Sequence, residues 1–206
     1  MKHMLVWFAC GVMAANLSGA ETEKAAAGSP AVEVPETALK QRAAAIAKEA
    51  FSELSSNLLA AITRSGLNDA LPYCSDKAIP ITKAVAARNG VGLSRITHKA
   101  RNPANKAVEA ELAVIRQFQA DVAAQRSPTP LVRTNASQAA VVYVPIVISN
   151  PLCLMCHGKP GSEVSAELQA TLRRLYPDDQ ATGFALGDLR GAWRVEFQAT
   201  SPAAPE

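Results

Sequence analysis

Cys153-Leu154-Met155-Cys156-His157 sets two thiols three positions apart, with an imidazole directly after the second. A chain carrying this run must fold around whatever group those side chains hold. Thiols at this spacing form thioethers to the two vinyl groups of one haem, and the adjacent imidazole then lies under the iron as proximal ligand. The expectation is a single, covalently attached haem c held by Cys153, Cys156 and His157. A zinc site would need two more soft ligands at close spacing, and the sequence has no second Cys-x-x-Cys or His pair. A thioredoxin-like redox pair would sit on the strand-to-helix turn of an α/β unit and has no need of the histidine.

Haem of this type is attached outside the cytoplasm, so the start of the chain matters. Met1-Lys2-His3 precedes an apolar run from Met4 to Leu17, and Ser18-Gly19-Ala20 follows. A basic start, an apolar core and small residues at the cut positions read as a secretory signal peptide over residues 1–20. The run is shorter than the ~20 apolar residues that span a bilayer. The residues before Cys10 do not suit a lipoprotein signal. No later segment reads as a membrane anchor, so the expected mature protein is periplasmic. A chance match to the haem motif is hard to reconcile with such a leader.

After cleavage the inventory is short: Cys74, Cys153 and Cys156, then His98 and His157, and Met155 as the one methionine. Three cysteines are an odd number for an oxidising compartment. If two carry haem, Cys74 needs a reason. About 185 residues suit one domain with a sizeable core. The formal net charge of +3 is nearly cancelled by two haem propionates. No basic run with interleaved aromatics occurs, so nucleic acid is not an expected partner.

Residues 21–35 are rich in Ala, Gly, Ser and Pro and read as a flexible linker, with a single domain over 36–200 and a disordered tail at 201–206. From Glu36, Leu39, Ala43, Ile46, Ala50, Leu54, Leu58 and Ala61 recur at helical spacing, and Gly66 closes the pattern. Such a long amphipathic helix packs on the domain body, with a homodimer seam as the further use of its face. Leu67 to Tyr73 reads as a short second helix. Ser75 is the expected N-cap of a third, running to about Arg88 and ended by Asn89-Gly90. Leu93 to Lys99 reads as a strand, and Asn105 as the cap of a helix through Leu112, Ile115 and Phe118 to about Gln125. Ser127-Pro128-Thr129-Pro130 breaks the chain. Ala139 to Ile148 is a β-branched strand that runs into the haem motif. Ser162 to Tyr176 reads as a helix and Gly191 to Phe197 as a final strand. Alanine is abundant and aromatics are 5% of the chain, which favours helix. Helices flanking a small antiparallel sheet give an α+β class.

The second axial ligand is open on these grounds. Met155 lies inside the attachment loop and cannot reach the far face of the same haem. His98, Cys74, a lysine, water or no ligand remain. His98 falls on the predicted strand, where a partly exposed histidine is ordinary. Cys74 falls in a predicted helix-to-helix junction, where cap geometry and local N–H groups lower a thiol pKa; an inert buried cysteine is the plainer reading. Arg95 and Arg101 are candidates to pair haem propionates, with a solvated surface charge the alternative for each. Lys159 is read as solvated, and Asp188 and Arg190 as a structural turn contact.

Several separated motifs follow one another along the mature chain: Tyr73-Cys74-Ser75, Gly92-x-x-x-Ile96, Arg101-Asn102-Pro103-x-Asn105 with Glu109, Tyr143-x-Pro145-Ile146, Cys153-Leu154-x-Cys156-His157-Gly158 and Gly187-Asp188-Leu189-Arg190-Gly191-Ala192. Together they resemble a family of bacterial c-haem proteins with a PAS-like fold, a domain of unknown function proposed as periplasmic redox sensors. The resemblance implies that Cys153 and Cys156 bind haem, that His157 is proximal and that Cys74 supplies a distal thiolate. It also implies that Arg101, Asn102, Pro103, Tyr143 and Pro145 belong to the haem pocket. Trp193 departs from the pattern, standing where a small residue is expected.

Two function classes follow. One is a haem-based redox or gas sensor that signals through a separate protein, since no kinase, cyclase or DNA-binding module is evident. The other is an electron-carrying cytochrome c with its haem edge open to docking partners. An enzyme would need an open distal site with an acid–base group, which only His98 offers, so no catalytic residue is expected.

Overall fold

The computed structural model describes residues 34–137 and 139–198, with the side chain of Cys74 outside the description. The expected leader at 1–20, nearly all of the linker at 21–35 and the tail at 201–206 lie outside these residues. The first element, α1 (Glu36–Asn89), is two helical limbs joined at Gly66, whose φ of 79° and ψ of 169° are non-helical. Only glycine adopts that combination readily. The limbs fold back on each other. Arg88 pairs with Glu49 at 2.7 Å and with Glu53, and the Asn89 amide donates to Glu49 at 2.9 Å.

The second limb corrects the expected pattern. It runs through Cys74 and Ser75 without a break, so there is no junction there and Ser75 caps nothing. Pro72 and Pro80 lie inside it, each removing one N–H from the helical ladder. The helix ends as expected, at Gly90 in the left-handed conformation.

Four strands follow: β1 (Val91–Ile96), β2 (Leu131–Thr134), β3 (Ala140–Val147) and β4 (Leu189–Phe197). All pairings are antiparallel, in the order β1-β4-β3-β2, so the last strand lies inside the sheet. Side chains alternate across it. On one face Val142, Trp193, Val195 and Phe197 pack on Ala43, Ile46, Ala47 and Ala50 of α1. On the other, Ile96, Val141, Tyr143, Leu189 and Ala192 pack with Val114, Ile115 and Phe118 of α2 (Glu109–Ala123). Trp193 is 4% exposed; the alanines of the helix across from it leave room for the large ring. The result is the α+β class, a four-stranded antiparallel sheet with a long N-terminal helix.

The other boundary differences have local causes. Asn102, not Asn105, is the capping side chain, accepting from the Ala104 N–H at 3.0 Å to start a 3₁₀ turn over Pro103–Asn105. The start of α2 is held by Glu111, whose carboxylate accepts the Val108 N–H at 3.0 Å. β1 stops at Ile96, so His98 sits in the bend after it. Strand β2 was not expected, because its four residues follow the Pro-rich break directly. Ser165 caps the helix α4 (Ala166–Leu175) by accepting from Leu168 at 3.1 Å, later than the expected start at Ser162. No described helix is long and apolar enough to cross a membrane.

Candidate functional site

The Cys-x-x-Cys-His run forms the helix α3 (Pro151–His157), reached from β3 through three residues. Asn150 caps it by accepting from the Leu152 N–H at 2.9 Å, and Pro151 occupies the first turn, where its missing N–H costs nothing. Three-residue spacing puts Cys153 and Cys156 on one face. Both are half-buried thiols. Leu152 and Met155 project elsewhere and are 62% and 37% exposed.

Gly158 ends the helix under steric compulsion. A Cβ there would lie 2.6 Å from both the Leu154 carbonyl and the Glu163 carboxylate. That carboxylate also accepts the Lys159 N–H at 2.6 Å, so Glu163 seals the end of the motif.

His157 is fixed from the following loop. The Phe184 N–H donates to the His157 carbonyl at 2.9 Å and the Gly183 N–H to that of Gly158 at 2.8 Å, a strand-like clasp. The same loop sets the Ala181 carbonyl 2.7 Å from His157 Nδ1. Burial pushes the imidazole pKa well below its ordinary range, and the cationic Arg190, Arg101 and Arg95 add to the effect. The ring is therefore neutral. A carbonyl can only accept, so Nδ1 carries the hydrogen and Nε2 keeps a bare lone pair, the arrangement of a histidine oriented as a metal ligand.

Arg101 ties loop and helix together. It donates to the Cys156 carbonyl at 2.6 Å and pairs with Asp179 at 3.1 Å, their side chains only 12% and 9% exposed. Asp179 also accepts the Ala181 N–H at 2.8 Å, which fixes the carbonyl that His157 meets.

His157 and Cys156 line a cleft. One wall is α1, with Leu54, Asn57 and Leu58 from its first limb and Leu71, Tyr73, Ser75 and Ala78 from its second. Arg95 and Arg190 come from the sheet, and Arg101, Asn102 and Asn105 from the turn after it. Of the residues expected to share a pocket, Arg101, Asn102, Cys156 and His157 are thus together. Cys153 packs one turn away, against Ile148, Ala181 and Phe184. Pro103 is exposed and opens the 3₁₀ turn.

Tyr143 and Pro145 are not brought to this cleft. Tyr143 faces α2 among apolar neighbours, its pKa raised by burial and by Glu111. Pro145 lines a separate groove with Phe51, Ile146 and Trp193. His98 is outside the cleft lining as well. Its ring lies edge-on to Phe184, with centroids 6.3 Å apart, as does that of His157 at 6.3 Å.

Sequence reasoning missed Asp179, Ala181 and Phe184, and gave Arg190 too small a part. Asp188 does make the expected turn contact, accepting from Ala185 at 2.8 Å. Arg190 instead sits deep beside the cleft, donating to Thr97 Oγ1 at 3.1 Å and the Lys99 carbonyl at 3.2 Å, with its guanidinium 5.4 Å from the Phe184 ring centre. Arg95 and Arg101, close together before a turn of Asn and Pro, were the available signal, and Arg190 lay far outside it.

The sequence model of the Tll0287-like family, Tll0287, matches residues 24–197. Among solved structures, the crystal structure of the cyanobacterial heme-protein Tll0287 superposes with a TM-score of 0.53 at 21% identity, over 82% of this chain and 100% of that one. At that identity the likeness is one of fold. No curated protein matches the chain.

Proposed function

The chain belongs to the Tll0287-like family, and from that premise we propose that it is an exported protein carrying one covalent haem c in the α3 cleft. Cys153 and Cys156 would form the thioethers, and His157 would bind the iron through Nε2. The observation that carries this reading is the His157 Nδ1 contact with the Ala181 carbonyl, which leaves a neutral imidazole aimed by the loop. Half-buried thiols at positions 153 and 156 and a cleft with an apolar helical wall fit the same group. The cyanobacterial relative, named as a heme-protein, supports it.

Cys74 is the proposed distal ligand, as a thiolate. Its neighbours Tyr73 and Ser75 line the cleft, as do Leu71 and Ala78, three residues before it and four after. Bound haem supplies one-electron chemistry at iron, and a thiolate donor favours the ferric state. Cys74 would then be either a thiolate ligand or a free thiol holding a proton. That gives a two-state element on α1 that redox state or a gas ligand can bias.

On this reading the protein is a periplasmic redox or gas sensor with a PAS-like scaffold, not an enzyme, and it passes its state to a partner protein or through a second copy at the long helix. Electron transfer is the second reading. It is favoured by Leu152 and Met155, apolar side chains exposed on the attachment helix, where a docking protein would meet them.

The test is export of the full chain from a host able to attach c-type haem. Haem that stays on the polypeptide through a denaturing gel, and is lost in Cys153→Ser and Cys156→Ser, is the expected outcome. A wild-type protein that matures without covalent haem overturns the proposal.

A further inference from the structure

The cleft is two-sided in chemistry. Its helical wall is mostly apolar, with Leu54, Leu58, Leu71, Ile79 and Ile81 and one cation, Lys77, whereas three arginines line the rest: Arg95, Arg101 and Arg190. Among the described lining residues there is no Asp or Glu. Asp179, behind the lining, pairs with Arg101. Arg190 is the cation that acts most strongly on the His157 ring. Among the described residues, its side-chain hydrogen bonds leave from Nη1, to Thr97 and Lys99. Burying several guanidiniums in one cleft costs free energy unless anions meet them.

We infer that Arg95, Arg101 and Arg190 form one anion-receiving wall, built for the paired carboxylates on one edge of a planar, otherwise apolar ligand, and that Arg190 is its central member. The inference rests on the haem reading and deepens it. The two thiols on α3 would receive the vinyl groups, and the arginine wall would receive the two propionates. Arginine suits this work, because its planar fork matches a carboxylate with two parallel bonds. Burial, and the nearby Arg101 and Arg95, depress the Arg190 pKa to about 10, with Asp179 opposing them. Arg190 still stays charged at neutral pH. A fixed positive charge beside the site opposes the ferric state, so the wall also raises the potential that a thiolate lowers. Arg190 is thus a positioning residue with an electrostatic readout.

The experiment is equilibrium redox titration of the haem-loaded protein, followed by visible absorption, for the wild type, Arg190→Gln, Arg190→Lys and Thr97→Val. Loss of the charge in Arg190→Gln should shift the oxidised-to-reduced equilibrium about tenfold toward ferric, roughly 59 mV for a one-electron couple. Arg190→Lys, which keeps the charge, and Thr97→Val, which removes a contact of Arg190 but no charge, should stay within about threefold of wild type. Should Arg190→Gln fail to accumulate, Arg95→Gln takes its place with the same expected direction. A haem-loaded charge-loss variant within about twofold of wild type overturns the inference. So does a Thr97→Val shift as large as that of Arg190→Gln, since the effect would then belong to the turn. Wild type without covalent haem sinks the underlying haem reading instead, so the two failures are distinguishable.

Discussion

The imidazole of His157 stands 2.7 Å from the carbonyl of Ala181, a residue 24 positions further along the chain. Nothing in α3 itself supplies that contact. The orientation of the candidate ligand is set by a loop, and the loop is held by the Arg101–Asp179 pair.

Breaking that pair should therefore loosen the site from behind. Asp179→Ala leaves a buried guanidinium uncompensated and frees the Ala181 N–H. The expected loss is about 2–4 kcal/mol in urea unfolding, since removing one partner of a buried pair is costly. A variant as stable as wild type would show that the loop holds itself.

Gly66→Ala tests the joint of α1. A Cβ added there meets no atom within 4 Å, so any penalty comes from the backbone alone. At φ 79° and ψ 169° the expected cost is about 1–3 kcal/mol. Thermal unfolding at or above the wild-type temperature would mean that the joint relaxes into another conformation.

At Gly158 the obstacle is space. Gly158→Ala drives a methyl into the Leu154 carbonyl and the Glu163 side chain. The expected result is a lower yield of covalent haem, with Glu163→Ala giving partial relief. Full haem incorporation in the single variant would show that the helix end tolerates a side chain there.

Cys74→Ser addresses the distal side. If Cys74 ligates ferric iron, electron paramagnetic resonance of the oxidised protein should lose its low-spin thiolate signature while the haem stays attached. An unchanged spectrum excludes thiolate ligation. Carbon monoxide binding to the reduced wild type then separates the two readings: a ferrous site closed to the gas rules out gas sensing.

His98 carries a pH dependence. Burial depresses its pKa below the ordinary 6.5, Lys99 and Arg190 contribute in the same direction, and its Nδ1 is buried with no hydrogen-bond partner among the described residues. Between the lowered folded value and 6.5 the unfolded chain binds the extra proton. Stability contributed by neutral His98 is thus complete above that window and is lost as pH falls through it. Urea midpoints between neutral pH and pH 5 should fall less steeply in His98→Gln than in wild type. Parallel slopes would count against a buried, neutral His98.

Much of this was readable from the chain because local signals and tertiary packing agree. The helical spacing from Leu39 to Ala61, the stop at Gly66, the β-branched run into Cys153 and the Cys-x-x-Cys-His unit each use neighbours within a few residues. The less readable features lack that support. Ser75 has the chemistry of a cap, but the second limb of α1 continues through it, because Leu71 packs on Val164, Leu168 and Leu172 at and beside α4. Tyr143 and Pro145 lie close in sequence to the Cys-x-x-Cys-His run, yet Tyr143 packs on α2 and Pro145 lines the groove with Phe51 and Trp193. The Ala181 carbonyl belongs to a backbone that any residue would present, and no side-chain pattern announces it. Arg190 looked like part of a turn because its role depends on β4 lying beside β1.

That pairing has a consequence in time. β4 is the last of the described elements in chain order, yet it sits between β1 and β3, and its partner β1 is roughly a hundred residues earlier, a slow kind of contact to form. Cys153 and Cys156 emerge before it. Arg190 and the strand that aligns it with Arg95 arrive afterwards. If the proposed haem is attached there, the thiols could meet it before β4 is in place, and β4 would be the closing piece that turns an attachment point into an enclosure.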